Sequence, residues 1–247
     1  MRSFLNLTWV NLKLYIREPI ATFFTLAFPP LMVLLFGAMY GNDPSPLFDG
    51  RGSMDVSMPA YTAMILATVA FIGVPITLGG YREAGVLRRY KATALRPFTY
   101  ICSDVVANLL MTLIGMVGLV IVGWLLYRVH FEGNVLTVVV AVIFCGLSMC
   151  SVGYLIGSVA PNARTAQVVS MVIFYPMLFL SGAGIPLEIM PATIKKVASF
   201  LPLTYVVKLL RGLWFGNSWG EHLLETAILS GILVFGAALA ARLFRWE

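Results

Sequence analysis

The sequence has 247 residues, of which 60% are hydrophobic and only 11% are charged, and its mean hydropathy is +0.89. This composition excludes an ordinary globular protein, and uncharged runs longer than about 18 residues recur, each long enough to cross a bilayer. The formal charge of +6 is therefore expected in loops that face the inside of a membrane. We do not expect it to bind nucleic acid.

Taken in order, the chain begins with a segment that is too polar to span a bilayer. Residues 1–18 are predicted to form an interfacial helix, with Trp9 and Tyr15 at the depth of the lipid headgroups. Transmembrane helices are predicted in six mostly uncharged stretches, at about 20–40, 57–80, 104–127, 135–160, 166–185 and 223–241. Pro29 and Pro30 are expected to kink or break the first of these, because proline lacks the amide donor and clashes with the preceding turn.

Residues 188–221 are predicted to form an extracellular helical hairpin between spans 5 and 6. They contain two short amphipathic pieces separated by Pro202, and neither is long enough to cross a bilayer. The hairpin either re-enters the outer leaflet or consists of two interfacial helices that lie flat. The predicted fold is thus an all-α membrane protein with one transmembrane domain over residues 1–247.

Residues 82–97 form the densest charge cluster of the chain, with five basic residues and one acidic residue among sixteen. On a helix the segment is short, basic and amphipathic, and Pro97 is expected to end it. It could be an inside-facing retention signal, a surface helix on anionic headgroups, or a functional loop.

The distribution of charge predicts which loops face inside. With both termini inside, eleven of the 17 lysines and arginines face the cytoplasm and six face outward. This bias agrees with the positive-inside rule and favours an even number of spans.

The sequence offers little catalytic or metal-binding chemistry. His130 and His222 are far apart, and Cys102, Cys145 and Cys150 lie in or beside apolar stretches, so neither set predicts a metal site. No phosphate-binding Gly-x-x-x-x-Gly-Lys-Ser/Thr motif occurs, so we do not expect this chain to bind ATP in that way.

Two further features lie within the predicted spans. Asp104 is close to the predicted cytoplasmic boundary, where a capping or snorkelling role is favoured over a proton relay. Gly153 and Gly157 have the small-x-x-x-small spacing that permits close contact between helices, within a chain or between copies.

Two motifs resemble those of type-2 ABC transporter permeases. The first lies in the basic segment and reads Glu83-x-Gly85-x-Leu87-Arg88-Arg89-x-Lys91-Ala92-Thr93-x-Leu95-x-Pro97. The second lies in the predicted hairpin region and comprises Leu180-Ser181-Gly182, Pro186-Leu187-Glu188, Pro191, Leu201-Pro202-Leu203-Thr204-Tyr205 and Arg211. In that family the first motif is a cytoplasmic coupling loop and the second is an extracellular segment between spans 5 and 6.

This resemblance implies a transport subunit without enzymatic activity, driven by a separate ABC ATP-binding subunit that holds ATP and Mg. The expected complex has two copies of this chain, two ATPase subunits and surrounding membrane lipids, in a prokaryotic inner or plasma membrane with both termini cytoplasmic. The residues implied in ATPase coupling are Glu83, Gly85, Leu87, Arg88, Arg89, Lys91, Ala92, Thr93, Leu95 and Pro97. Those implied in the extracellular hairpin are Pro186, Pro191, Pro202, Thr204, Tyr205 and Arg211.

By analogy with the family, spans 1, 2 and 5 line the substrate pathway at the surface shared by two copies. Candidate lining residues are Phe23, Phe24, Phe28, Tyr61, Phe71, Phe174, Tyr175 and Phe179. An aromatic, uncharged lining suits an amphipathic drug-like or lipid-like substrate. The alternatives are export of a lipid-linked polysaccharide, and a non-transporting scaffold or sensor component.

Overall fold

Six long apolar helices dominate the computed structural model, which describes residues 2–48, 50–92 and 97–243. Spans 1 to 6 are Phe23–Tyr40, Ser53–Glu83, Thr99–Tyr127, Val135–Val159, Ala163–Leu180 and Trp219–Leu243. Within the described ranges the sheet content is one antiparallel pair, Pro44–Ser45 with Arg51–Gly52. The predicted all-α membrane protein with six spans is therefore confirmed.

Shorter elements connect the spans. The N-terminal helix is Arg2–Arg17, a further turn is Pro19–Thr22, and the loop helix between spans 2 and 3 is Val86–Ala92. Pro97 is the first residue of the helix Pro97–Tyr127, which contains span 3. The hairpin consists of Ala192–Ala198 and Pro202–Trp214, and short 3-10 turns lie at Pro46–Phe48, Leu187–Ile189 and Trp219–His222. We call the end of the bundle with the loop helix the loop end, and the other the hairpin end.

Span 2 lies at the centre of the bundle, because every residue from Met54 to Ala67 is buried. The N-terminal helix packs along span 3, where the Asn11 side chain donates to the Ser103 hydroxyl at 3.4 Å. The hydroxyls of Tyr15 and Thr25 are 2.6 Å apart, which ties the same helix to span 1. Burial raises the pKa of Tyr15 to about 12. That the helix lies in a membrane interface stays a prediction.

Spans 1 and 2 each contain a π-helical turn close before a proline. The turns are Phe23–Ala27, ahead of Pro29 and Pro30, and Val69–Gly73, ahead of Pro75. A π turn shifts the local hydrogen bonds and makes room for the proline ring, so the helix continues. Span 1 therefore runs through both prolines as one helix, and the expected break is not present.

Glycines of neighbouring helices pack against carbonyl groups in these π turns. In the turn of span 2, the Val74 amide donates to the Val69 carbonyl. The next carbonyl is that of Ala70, and Pro75 cannot donate to it because proline has no amide hydrogen. Gly153 of span 4 lies against this oxygen so closely that a Cβ would overlap it. A Cβ at Gly157 would lie 2.9 Å from Leu78. The two glycines thus serve contact between spans 2 and 4 of one chain.

Asn42 joins spans 1, 2 and 3 at the hairpin end. Its side-chain oxygen accepts from the amides of Met54 and Asp55 at 3.0 and 3.1 Å, and so caps the start of span 2. Its amide donates to the Asp55 carboxylate and to the Tyr127 carbonyl, each at 3.1 Å. The buried Asp55 also accepts from the His130 amide at 2.9 Å.

Replacing Asn42 with alanine is expected to lower the free energy of unfolding by about 3 kcal/mol, because several part-buried hydrogen bonds are lost together. Thermal unfolding of the purified protein in detergent measures the effect. Asn134 is the matched control: it caps span 4 from an exposed position, so its alanine variant should lose only about 1 kcal/mol. Equal losses in the two variants would contradict the role of Asn42 as a junction.

Candidate functional site

The last residues of span 2 hold the turn between spans 4 and 5. The Arg82 guanidinium donates to the carbonyl oxygens of Gly157, at 3.0 Å, and Ser158, at 3.4 Å, and also to that of Ala160. The Glu83 carboxylate accepts from the Ala163 amide at 3.4 Å. We call these contacts the Arg82–Glu83 clamp.

The clamp places each charge where a helix end favours it. Gly157 and Ser158 belong to the last turn of span 4, whose unpaired carbonyls carry partial negative charge, and Arg82 supplies the cation. Ala163 is the first residue of span 5, whose unpaired amides carry partial positive charge, and Glu83 supplies the anion. Gly79 allows this approach, since a Cβ there would lie 3.0 Å from backbone atoms of Asn162 and Ala163.

Gly85 ends span 2 and turns the chain into the loop helix. Its φ of +68° lies in the left-handed region, and its amide donates to the Arg82 carbonyl at 3.1 Å. Glycine adopts this conformation without steric strain, and it is the usual residue just after a helix C-terminus. The coupling residue suggested by the resemblance thus has a conformational reason to be glycine.

The loop helix has one anchored face and one exposed face. Leu87 is fully buried and belongs to the main hydrophobic core, whereas Arg88 and Arg89 are exposed. Of the other coupling candidates, Lys91, Ala92 and Pro97 lie within helices, while Thr93 and Leu95 fall outside the described residues. The loop end therefore presents a pair of arginines on a short helix that is fixed to the core.

The second predicted segment forms the hairpin, whose two helices meet at 98°. Pro202 is the first residue of the second helix. The Thr204 hydroxyl donates to the Ala198 carbonyl and the Tyr205 hydroxyl to the Ser199 carbonyl, each at 2.6 Å. These bonds satisfy the C-terminal carbonyls of the first helix, so the Thr204-Tyr205 pair fixes the bend. Pro191 directly precedes that first helix.

A cavity of about 620 Å³ lies beside the hairpin. Arg211 of the second hairpin helix lines it and forms an ion pair with Glu188. Val207 and Lys208 of the same helix also line it. The other lining residues come from spans 1, 2 and 5 and from the segments beside them, and they include Phe36, Tyr40, Phe48, Tyr61, Phe179 and Pro186. The lining is thus largely aromatic and apolar, with charge at one side.

The structure separates the predicted pathway aromatics into three groups. Tyr61 and Phe179 line the cavity at the hairpin end. Phe71 and Phe174 are buried in the helix bundle. The remaining candidates lie on spans 1 and 5: Phe23, Phe24 and Phe28 form one cluster of rings, and Tyr175 is 48% exposed.

Asp104 lies inside the helix Pro97–Tyr127 and does not cap its end. Its carboxylate accepts hydrogen bonds from the Tyr154 hydroxyl and, at 3.2 Å, from the Asn108 amide. The capping role is therefore wrong, while snorkelling stays a prediction; Asp104 joins spans 3 and 4 through Tyr154. Across residues 2–48, 50–92 and 97–243, no three acidic, histidine or cysteine side chains are grouped to hold a metal ion.

Sequence reasoning missed several residues of these two regions. Arg82 was counted only as part of the basic cluster, and its partners lie 75 or more residues away. Phe36, Tyr40 and Phe48 were not singled out, since aromatic residues are common in apolar spans. The contact between Glu188 and Arg211 could be detected in related sequences if the charges at these two positions change together.

Six spans, a clamped basic loop and a bent hairpin define a multi-pass membrane protein of the permease class. The ABC-2 type transporter family model matches residues 2–215. The chain belongs to the ABC-2 type transporter family, as its two motifs indicated.

Relatives agree with this assignment. The daunorubicin resistance ABC transporter permease protein DrrB1 of Streptomyces coeruleorubidus is 22% identical over 244 residues, 96% of this chain and 84% of the relative. The protein ycf38 of Porphyra purpurea is 23% identical over 232 residues, 92% of this chain and 79% of the relative. Nodulation protein J of Rhizobium leguminosarum bv. viciae is 29% identical over 100 residues, which is 40% of this chain and only 39% of that protein's length.

Proposed function

We propose that this chain is the transmembrane subunit of an ATP-driven exporter, and that a separate ABC ATP-binding subunit docks on its loop end. The observation that carries the proposal is the exposed pair Arg88 and Arg89 on a helix anchored by Leu87. The working complex has two copies of this chain and two ATPase subunits, which hold the ATP and Mg. It lies in a cell membrane with both termini in the cytoplasm.

Docking at the loop helix can move several spans at once. The Gly85 turn joins the loop helix to span 2, and the Arg82–Glu83 clamp joins the same point to the turn between spans 4 and 5. A partner that pulls this helix therefore acts on three spans together. Rigid helices joined by hydrogen-bonded contacts can carry such a displacement across a bundle.

The substrate we propose is an amphipathic molecule that passes between two copies. Spans 1 and 5 carry exposed aromatics, including Phe23, Phe24, Tyr175 and Phe179, which a second copy or substrate can cover. The cavity at the hairpin end has an apolar lining of similar character and is large enough for a drug-sized molecule. The name of the relative DrrB1, a daunorubicin resistance permease, agrees with an amphipathic cargo.

Reversing the charge of the loop helix tests the docking step. The double variant Arg88→Glu and Arg89→Glu should fold normally, because both side chains are exposed, yet lose at least about tenfold in affinity for the ATPase subunit. The measurement is co-purification with an ABC ATP-binding subunit from the same organism, followed by titration of the two purified subunits in detergent.

The matched control reverses two exposed lysines of the hairpin. Lys195→Glu and Lys196→Glu make the same change in net charge at the other end of the bundle, so ATPase binding should not change. If both double variants bind the ATPase as the unmodified protein does, the loop helix is not the docking site. If the isolated chain exports substrate without any ATPase, the proposed energy source is wrong.

A further inference from the structure

A second cavity, of about 480 Å³, adjoins the apolar cavity at the hairpin end. Phe48, Lys208 and Arg211 line both cavities and separate them. The second cavity is the more polar of the two, and its remaining lining includes Arg51, His222 and Glu225. The hairpin end therefore holds an apolar chamber and a basic chamber that meet at two cationic side chains.

The positive charges of this boundary are accessible. Lys208 is exposed, its Nζ lies 5.7 Å from the centre of the Tyr205 ring, and within the described ranges no carboxylate lies within 4.0 Å of it. Arg211 makes one ion-paired hydrogen bond, to Oε1 of Glu188, and a guanidinium has five N–H donors. Both residues can therefore donate to a further acceptor.

The acidic side chains beside them each lie close to a basic side chain. Glu188 gives one oxygen to Arg211, and its other oxygen, Oε2, is buried. The Glu225 side chain is only 14% exposed and lies 3.8 Å from Nδ1 of His222. Glu132 lines neither cavity; its side chain is 56% exposed and lies 3.5 Å from Arg51, whose guanidinium also stacks 3.5 Å above the Phe215 ring. Within the described part of the chain, Lys208 is thus the charged side chain of the two cavity linings that has no ion-pair partner, and it is a cation.

We propose that the two cavities together bind an anionic amphiphile. Its apolar body lies in the aromatic chamber, and its carboxylate, sulfonate or phosphate group accepts hydrogen bonds from Lys208 and Arg211. This inference rests on the proposed function and specifies the charge of its substrate. The same chemistry belongs to an exported acid and to an anionic lipid of the bilayer.

A matched pair of fluorescent probes tests the charge preference. Dansyl-aminoundecanoic acid and its methyl ester share the same apolar body and differ in one negative charge. With the full-length protein in phosphatidylcholine nanodiscs, the acid should bind about tenfold more tightly than the ester. Lys208→Gln should weaken binding of the acid about tenfold and leave the ester unchanged, whereas Lys196→Gln, an exposed hairpin lysine outside both cavities, should change neither.

Equal binding of acid and ester, or equal effects of the two lysine variants on the acid, would overturn the inference. Repeating the titration with phosphatidylglycerol in the nanodisc identifies the source of the natural anion. Weaker binding of the acid indicates that an anionic lipid competes for the site, and unchanged binding indicates a soluble or exported acid. Both results agree with an anion site.

ATP-dependent flux of both probes, measured with the ATPase present, separates this inference from the proposed function. Flux of the ester alone would refute the anion preference and leave export intact. Selective binding of the acid without flux of either probe would support the anion site and refute export of these amphiphiles.

Discussion

Replacing Gly153 with valine is expected to leave almost no folded protein. A Cβ at this position overlaps the carbonyl oxygen of Ala70, and backbone in the centre of the bundle cannot move aside as the end of a flexible side chain can. We expect a loss of more than about 4 kcal/mol, which exceeds the usual effect of overpacking because backbone is the obstacle. Fluorescence-detected size-exclusion chromatography of detergent extracts measures the yield of monodisperse protein.

Gly231 of span 6 provides the matched control, because a Cβ there meets no atom within 4 Å. Gly231→Val should give a yield close to that of the unmodified protein. A normal yield of Gly153→Val would show that spans 2 and 4 are farther apart than described. Comparable losses in both variants would mean that valine itself, and not the contact with Ala70, is responsible.

Breaking the Arg82–Glu83 clamp is expected to uncouple ATP hydrolysis from transport. Arg82→Met removes the guanidinium donors to the end of span 4, and Glu83→Ala removes the acceptor at the start of span 5. Hydrogen bonds to charged groups contribute about 1.5–3 kcal/mol each at most, so the variants should still insert and bind the ATPase. ATP-dependent flux in proteoliposomes should fall at least about tenfold while ATP hydrolysis by the complex continues.

Arg164→Gln is the control for this experiment, because Arg164 is an exposed basic residue on the same turn, next to Ala163. Its flux should match that of the unmodified protein. If both clamp variants export substrate at the full rate, the contacts have no role in transmission. If the clamp variants fail to bind the ATPase at all, Arg82 and Glu83 act in docking. The proposal that docking depends on Arg88 and Arg89, and transmission on the clamp, would then be wrong.

The sequence was sufficient for the fold class, because transmembrane helices are long uncharged runs whose length is set by the bilayer. The loop and the two short helices between spans 5 and 6 also stand out in the sequence, since each interrupts this pattern with charge and proline. The π turns were not predictable from Pro29 or Pro75 alone. Proline can break, kink or widen a helix, and the neighbouring helices decide which of these occurs.

Contacts between distant residues marked the limit of prediction. A resemblance could indicate that Glu83 and Gly85 matter, but the partner of Glu83 is a backbone amide 80 residues away, which carries no side-chain signal. Asp104 was misjudged for a related reason. Its position in the chain suggested a helix end, whereas its environment is set by Tyr154 of another span.

The π turns have a consequence for how the permease can change shape. A regular helix resists bending because each bend strains a continuous ladder of bonds. In spans 1 and 2 the ladder is already interrupted next to Pro29 and Pro75, so the segments on either side can tilt against each other with little added strain. We therefore expect these two joints, and not the regular stretches of the helices, to be the points at which spans 1 and 2 bend.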